Sequence, residues 1–362
     1  MSRETLHDQN IEALVPLPPP SEYLKNLPIT GRMAAQVMGA RQQIRRVLTG
    51  EDIRMLVIVG PCSIHDERAG LEYAQRLAQA SRELQDRLLL AMRVYFEKPR
   101  TTIGWKGLIN EPNLDGVLDV AEGLRRARAF LLEVARLGLP AATEWVDPIT
   151  PQYLADFVSW GAIGARTTES QTHRQLASGL SMPMGFKNGT GGTRHSIQIA
   201  VNGMVAASTG HAFLSTDRSG RVIVAYTKGN PGVHLILRGG EQGPNYGQES
   251  VAAACAMLAK AGFPQRLLVD CSHDNSGKDH TRQPLVFQDV LRQRIEGHPC
   301  IAGVMLESHL SEGKQSLKGN AATLKYGVSI TDSCIGWEQT IGLLREAHAA
   351  LSKESLAGIH QA

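Results

Sequence analysis

A cysteine, a histidine and two carboxylates stand at or just past the ends of apolar runs in this chain, where buried strands would hand over to loops. Cys62 follows LVIVGP, His273 follows LLVDCS, Glu307 closes GVMLE, and Asp332 lies in SITDSC. A thiolate, an imidazole and two carboxylates together suit one divalent transition ion. A second set is basic: Arg93, Lys98 and Arg100 in RVYFEKPRTT, then Arg166, Lys187 and Arg238, each at or near the end of a run. As many as six positive charges around one cavity are costly unless an anion of several charges neutralises them, and guanidinium forks match phosphate and carboxylate oxygens. A phosphorylated substrate is the natural partner. Plainer roles exist for single members: a cysteine after a strand also packs as a small apolar side chain. Glu144 has the chemistry to pair with one of the cations, and Asp332 suits the N-cap of a helix around CIGWEQT.

These residues share a site only if the fold gathers the strand ends. Short β-rich apolar runs recur at MLVIVG (55–60), LLLAMRVYF (88–96), PAATEW (140–145) and AIGART (162–167), then at MGFKN (184–188), HLILRG (234–239), LLVDCSH (267–273) and GVMLES (303–308). Stretches of helical period lie between most of them, at 70–85, 123–138, 251–262 and 284–295. Strands apolar on both faces that alternate with helices predict a (β/α)8 TIM barrel, whose chemistry gathers at the carboxyl ends of its strands. Residues 211–227 interrupt the rhythm and predict a β-hairpin inserted before strand six, with its turn at Asp217 to Gly220. Prolines in PLPPPSEYLKNLPIT predict an extended arm without helix, followed by an amphipathic helix from Gly31 to Gly50. The expected layout is an amino-terminal extension over 1–50, a catalytic barrel over 51–350, and a carboxyl-terminal tail over 351–362.

Composition narrows the function classes. In 362 residues, 38 basic and 35 acidic side chains leave a net charge of +3 without long like-charge blocks, so no basic stripe argues for nucleic acid. No apolar run approaches a membrane span, and the first ten residues lack the apolar core of a signal peptide. Five cysteines without CxxC spacing fit reduced thiols in the cytoplasm, the expected location.

The segments GPCSIHD (60–66), RVYFEKPRTTIGWKGLINEP (93–112), WGAIGARTTESQTHR (160–174), GFKNGT (185–190), HLILRGG (234–240), DCSHDNS (270–276) and SITDSCIGWE (329–338) carry a resemblance. Together they resemble the feedback-regulated type I class of 3-deoxy-D-arabino-heptulosonate 7-phosphate (DAHP) synthases, over nearly the whole chain. The resemblance implies a transferase that condenses phosphoenolpyruvate with erythrose 4-phosphate and water, releasing phosphate, at the head of the shikimate pathway to the aromatic amino acids. It implies one divalent metal ion, Mn, Fe, Co or Zn, on Cys62, His273, Glu307 and Asp332. By motif position, Arg93, Lys98, Arg166, Lys187 and Arg238 match the phosphoenolpyruvate site, to which we add Glu144. Lys98, Pro99, Arg100 and Thr101 match the erythrose 4-phosphate site, with Asp332 beside it. Lys98, Cys62 and His273 are then the expected catalytic residues, with Lys98 a candidate proton donor.

The same resemblance implies an aromatic amino acid effector, tyrosine or phenylalanine rather than tryptophan. It would bind among Asp147, Pro148 and Gln152, then Leu180 and Ser181, then Phe213 and Ser215; Leu180 and Phe213 also read as plain core. Arm and hairpin would make subunit contacts in a homodimer or homotetramer. Two rivals use the same barrel: the eight-carbon sugar-acid synthase that takes arabinose 5-phosphate, and a metal-dependent phosphate-ester hydrolase.

Overall fold

Strands that read as continuous apolar runs need cover on both sides, and closing the sheet on itself supplies it. The computed structural model describes residues 6–317 and 321–359. Its parallel strands are β1 (Met55–Gly60), β2 (Leu88–Arg93), β3 (Ala141–Glu144), β4 (Val158–Ile163), β5 (Met184–Lys187), β8 (Val233–Leu237), β9 (Leu267–Asp270) and β10 (Ile301–Glu307). They close in the order β1-β10-β9-β8-β5-β4-β3-β2, a (β/α)8 barrel in which every strand residue is buried. The remaining pair, β6 (Ala212–Thr216) and β7 (Val222–Tyr226), forms the antiparallel hairpin before the sixth barrel strand. Asp217 closes its turn, accepting from the amides of Ser219 and Arg221.

Helices begin where short polar side chains can accept from free amide groups. Thr30 caps α2 (Gly31–Thr49), Asp66 caps α3 (Glu67–Leu84) and Asp119 caps α4 (Val120–Arg136). Ser170 caps α6 (Gln171–Gly179) and Thr193 caps α7 (Arg194–Ala207). The helices α8 (Gln248–Lys260), α9 (Gln283–Ile295) and α10 (Trp337–Ile359) complete the outer ring, with the short α5 (Pro151–Leu154) after β3. From α2, Ile44, Val47 and Leu48 join one apolar cluster with Leu56, Ile58, Trp160, Ile236 and Met305 of the strands, so this helix plugs the amino-terminal end of the barrel. The opposite end is left for chemistry.

Three details differ from the sequence reading. The proline-rich arm is not helix-free: α1 (Pro20–Asn26) starts on its last consecutive proline, whose fixed φ and missing amide suit a first helical turn. Tyr23 anchors this turn, donating to Ala121 O at 3.0 Å and meeting Tyr153 edge-on. The fourth strand is VSWGAI rather than AIGART, because the amides of Thr167 and Thr168 fold back onto Gly164 O and end it. A Cβ at Gly164 would meet the Glu144 carboxylate, which would have to move aside. The last helix runs through to Ile359, so the segment expected as a tail continues the outer ring, and residues 360–362 lie outside the described residues.

Gly303 tests how tightly the barrel closes. It pairs with Leu56, and a Cβ there would run into the Leu56 carbonyl. Gly303→Ala is expected to lower the urea unfolding free energy by about 1–3 kcal/mol. Gly342→Ala, on an exposed turn of α10 with nothing near the new methyl, is expected to raise it by about 0.4–1 kcal/mol.

Candidate active site

At the carboxyl end of the barrel, Cys62 follows β1 and is fully buried. The Lys98 ammonium lies over it, 3.0 Å from Cys62 O and 3.1 Å from Sγ, and the Asp332 amide donates to the same sulfur at 3.4 Å. Cys62, Glu307 and Asp332 each offer a ligand atom, and the three atoms lie within 4.8 Å of one another. His273 stands next to this group, its Nε2 3.8 Å from Glu307 Oε1. Asp332 does not cap a helix, since α10 starts only at Trp337. Thiol, carboxylates and imidazole together fit a divalent ion of borderline softness.

Burial first, then the Glu307 carboxylate, pushes the Cys62 thiol up to about 11. Burial also opposes charge on Lys98, but the facing Cys62, Glu307 and Asp332 outweigh it and hold this lysine above its ordinary range. The Asp332 carboxyl is desolvated too, yet Lys98 and His273 bring it below the usual value.

Above this floor opens a cavity of about 510 Å3. Lys98, Pro99, Arg100 and Thr101 line it together with Glu144, Arg166, Lys187 and Arg238, and His273, Glu307 and Asp332 complete the lining. Cys62 and Arg93 lie beneath the wall, and Arg93 is wholly excluded from solvent. Its guanidinium stacks 4.0 Å over the Tyr95 ring, donates to Pro61 O and Glu307 Oε1, and leaves one terminal nitrogen without a partner.

Several of the cations that the sequence sets against an incoming anion are already paired. Arg93 meets Glu307 at 3.0 Å, Lys187 meets Asp270 at 2.8 Å, and Arg238 meets Asp274. Asp270 and Asp274 were missed as site residues, although both lie in the motif DCSHDNS and Asp270 ends a buried strand. Burial opposes charge on Asp270, but Lys187 and His273 hold its carboxyl well below the usual range. Arg166 makes no carboxylate contact among the described residues and donates to Thr101 Oγ1 at 3.1 Å, while Arg100 donates to Trp105 O. Glu144 makes no ion pair among the described residues, so the plainer role considered for it is not seen.

The expected effector residues lie on three segments that contacts through α6 connect. His173 Nε2 lies 2.8 Å from Val146 O, just before Asp147 and Pro148, and Gln152 is in α5. Leu180 and Ser181 follow α6, where Ser178 Oγ lies 2.7 Å from Thr227 Oγ1 at the foot of the hairpin. Phe213 and Ser215 are half-buried on β6, while Ala212 and Leu214 are exposed. Glu97, also missed, ties the first segment to the active site: its buried carboxylate accepts from the Asp147 amide at 3.0 Å and from Thr150 Oγ1 at 3.3 Å.

The family model described as "DAHP synthetase I family" matches residues 32–345. The chain belongs to the DAHP synthetase I family. Relatives in this family include the Tyr-sensitive phospho-2-dehydro-3-deoxyheptonate aldolase of Escherichia coli K12, 49% identical over 99% of this chain and 100% of that protein. The Phe-sensitive enzyme of the same organism is 52% identical over 94% of this chain and 95% of its own. A solved structure of phospho-2-dehydro-3-deoxyheptonate aldolase from Francisella tularensis SCHU S4 superposes with a TM-score of 0.91 at 45% identity, covering 95% of this chain and 99% of that one. The DAHP synthetase match spans every barrel strand, the hairpin and all the strand-end residues described above.

Burial outweighs the backbone hydrogen bond from Asp147 and pushes Glu97 up to about 8 from an ordinary 4.5. The folded chain thus holds a proton here more firmly than the unfolded chain across that window. This contribution to stability is complete below the unfolded value and is lost as pH rises through the window, by up to about 1.4 kcal/mol per pH unit. Glu97→Gln cannot titrate, so its urea unfolding free energy relative to the parent should climb between about pH 5 and pH 8. A difference that stays flat with pH would show that Glu97 titrates normally.

Proposed function

We propose that the chain catalyses the condensation of phosphoenolpyruvate with D-erythrose 4-phosphate and water to give DAHP and phosphate, under feedback control by an aromatic amino acid. One observation carries the reading: Lys98 sits 3.1 Å from Cys62 Sγ within the divalent-ion set, while the Pro99, Arg100 and Thr101 that follow it share a cavity with Arg166, Lys187 and Arg238. A hydrolase would need one phosphate site, and this cavity is lined by Lys98, Arg100, Arg166, Lys187 and Arg238, more basic groups than one phosphate requires.

Cys62, His273, Glu307 and Asp332 would hold the ion, one of Mn, Fe, Co or Zn. Bound there, it supplies Lewis acidity to a sugar aldehyde oxygen. Arg166, Lys187 and Arg238 would hold phosphoenolpyruvate, with Glu144 on the same wall and Arg93 below. Lys98 to Thr101 would hold the erythrose phosphate, with Asp332 at its reacting end. Fixed guanidinium and ammonium groups orient both substrates and stabilise the charge that develops without rearranging, which is electrostatic preorganisation. Lys98, kept protonated by its anionic neighbours, is placed to donate a proton to the new alkoxide.

The relatives bear Tyr-sensitive, Phe-sensitive and Trp-sensitive names at 49%, 52% and 49% identity. We assign tyrosine or phenylalanine as effector, among Asp147, Pro148, Gln152, Leu180, Ser181, Phe213 and Ser215. Leu214 (78% exposed), Val222 (77%) and Tyr226 (82%) form an apolar stripe on the outer face of the hairpin, and Leu14 and Val15 of the arm are equally exposed. The stripe supports a homodimer or homotetramer built on arm and hairpin. Among the described residues no helix is long and apolar enough to cross a membrane, and the cysteines are free. Both fit the cytoplasm, where we place the enzyme, with residues 1–50 serving contact and regulation and 51–350 catalysis.

Phosphate release should require both phosphorylated substrates, vanish on chelation and return with Mn2+. Cys62→Ala, checked for folding by circular dichroism, should lose at least about 100-fold in kcat, more than an outer-sphere change would cost. Phosphate released from phosphoenolpyruvate alone would identify a hydrolase, and turnover only with arabinose 5-phosphate would identify the eight-carbon synthase. Tyrosine or phenylalanine, tested separately, should depress the rate.

A further inference from the structure

The strand β9 ends in Asp270, whose side chain turns into the barrel and reaches no solvent. Both of its oxygens are engaged. Oδ1 accepts from the Ser272 hydroxyl at 2.6 Å and from the Ser272 amide at 3.1 Å. Oδ2 is shared between two groups that the proposed reaction uses differently: Lys187 Nζ at 2.8 Å and His273 Nδ1 at 2.9 Å.

The first partner stands among the groups assigned to phosphoenolpyruvate, the second among those assigned to the ion. His273 has a φ of 56°, a left-handed backbone state that a residue with a Cβ keeps only when its surroundings impose it. Lys278 N and Ser276 Oγ bond its carbonyl, and its Nδ1 lies 2.9 Å from Asp270 Oδ2 and 2.8 Å from Ser272 Oγ. The Asp270 carboxylate only accepts, and the Ser272 hydroxyl, 2.8 Å from the same nitrogen, gives its proton to Asp270 Oδ1, so Nδ1 carries the imidazole proton and Nε2 presents its lone pair toward Glu307.

Resting on the reaction proposed above, we propose that Asp270 positions the two halves of the site relative to each other. By holding Lys187 and His273 on one oxygen, it fixes where phosphoenolpyruvate sits with respect to the cation. Asp270 itself touches neither ligand; it acts through its two partners. His273 is three residues on and reaches Asp270 through a local turn, whereas Lys187 is 83 residues away and reaches it only through closure of the barrel.

The test is Asp270→Asn, which keeps the shape and removes the charge. Binding of Mn2+, read from the electron paramagnetic resonance of the free ion, and binding of phosphoenolpyruvate, read by titration calorimetry, are measured on the full chain without turnover. Each is expected to weaken about 10- to 100-fold. Asp156→Asn is the control: it breaks the buried Arg128 pair, bonded at 2.7 and 2.8 Å away from the cavity. It should lower the unfolding temperature and leave both affinities unchanged. A folded Asp270→Asn protein that loses phosphoenolpyruvate affinity alone, Mn2+ affinity alone, or neither would overturn the proposal.

A second measurement needs no variant. In the metal-free chain labelled with 15N-histidine, His273 should be the Nδ1–H tautomer, and the Nε2–H form would overturn the assignment even if Asp270→Asn fails to fold. A chain that bound Mn2+ and phosphoenolpyruvate as predicted but made no product would sink the proposed reaction and leave the role of Asp270 standing.

Discussion

The site is built on an ion pair that water does not reach. Arg93 and Glu307 lie 3.0 Å apart at the floor of the barrel with side chains 0% and 2% exposed, and neither charge could be buried there alone. They come from β2 and β10, the strands that flank β1 on either side. The pair therefore spans the end of β1, and Arg93 also donates to the carbonyl of Pro61 in the loop that follows. What it clasps is the turn that carries Cys62. A cysteine held this way has little freedom to repack, which suits it to the ligand role proposed for it.

Charges placed on that floor have to neutralise one another before any substrate arrives. Lys98 answers the Cys62, Glu307 and Asp332 group, Asp270 answers Lys187, and Asp274 answers Arg238. A phosphate entering the cavity thus meets cations already oriented by their own carboxylates rather than a bare positive shell. Less attraction is available than six unpaired cations would give. In exchange, the donors hold their directions in the absence of ligand, as electrostatic catalysis requires. Arg166 and Arg100, bonded to a threonine hydroxyl and a backbone carbonyl instead of carboxylates, keep more charge free for an anion than the paired cations do.

Much of this was legible in the sequence because parallel barrels write their strands as apolar runs and put polar groups where the runs stop. Cys62, Lys187, Arg238 and Glu307 could be placed at strand ends on that ground alone. The internal neutralisation could not, since Arg93 and Glu307 are 214 residues apart and Lys187 and Asp270 are 83 apart. Only closure of the barrel makes those pairs neighbours. The fourth strand was misread by four residues because AIGART starts on the apolar pair that ends the strand, and the amides of Thr167 and Thr168 turn back onto Gly164 O just after it. The helix at Pro20 escaped notice because proline, a helix breaker inside, is a good first residue.

Glu97 sets a limit on how the proposed effector region can behave. Its carboxyl is buried and bonded to the Asp147 amide and to Thr150, while the next residue in the chain lays its ammonium on Cys62. The Lys98 amide in turn donates to Lys106 O at 2.8 Å, so the backbone between the two contacts has little slack. A ligand that displaces residues 146–150 must then break the Glu97 hydrogen bonds or carry the Lys98 backbone with them. Breaking them strands a carboxyl in a close-packed interior, where an unsatisfied polar group is expensive. Either response reaches the residue next to Lys98, whose ammonium lies 3.1 Å from Cys62 Sγ.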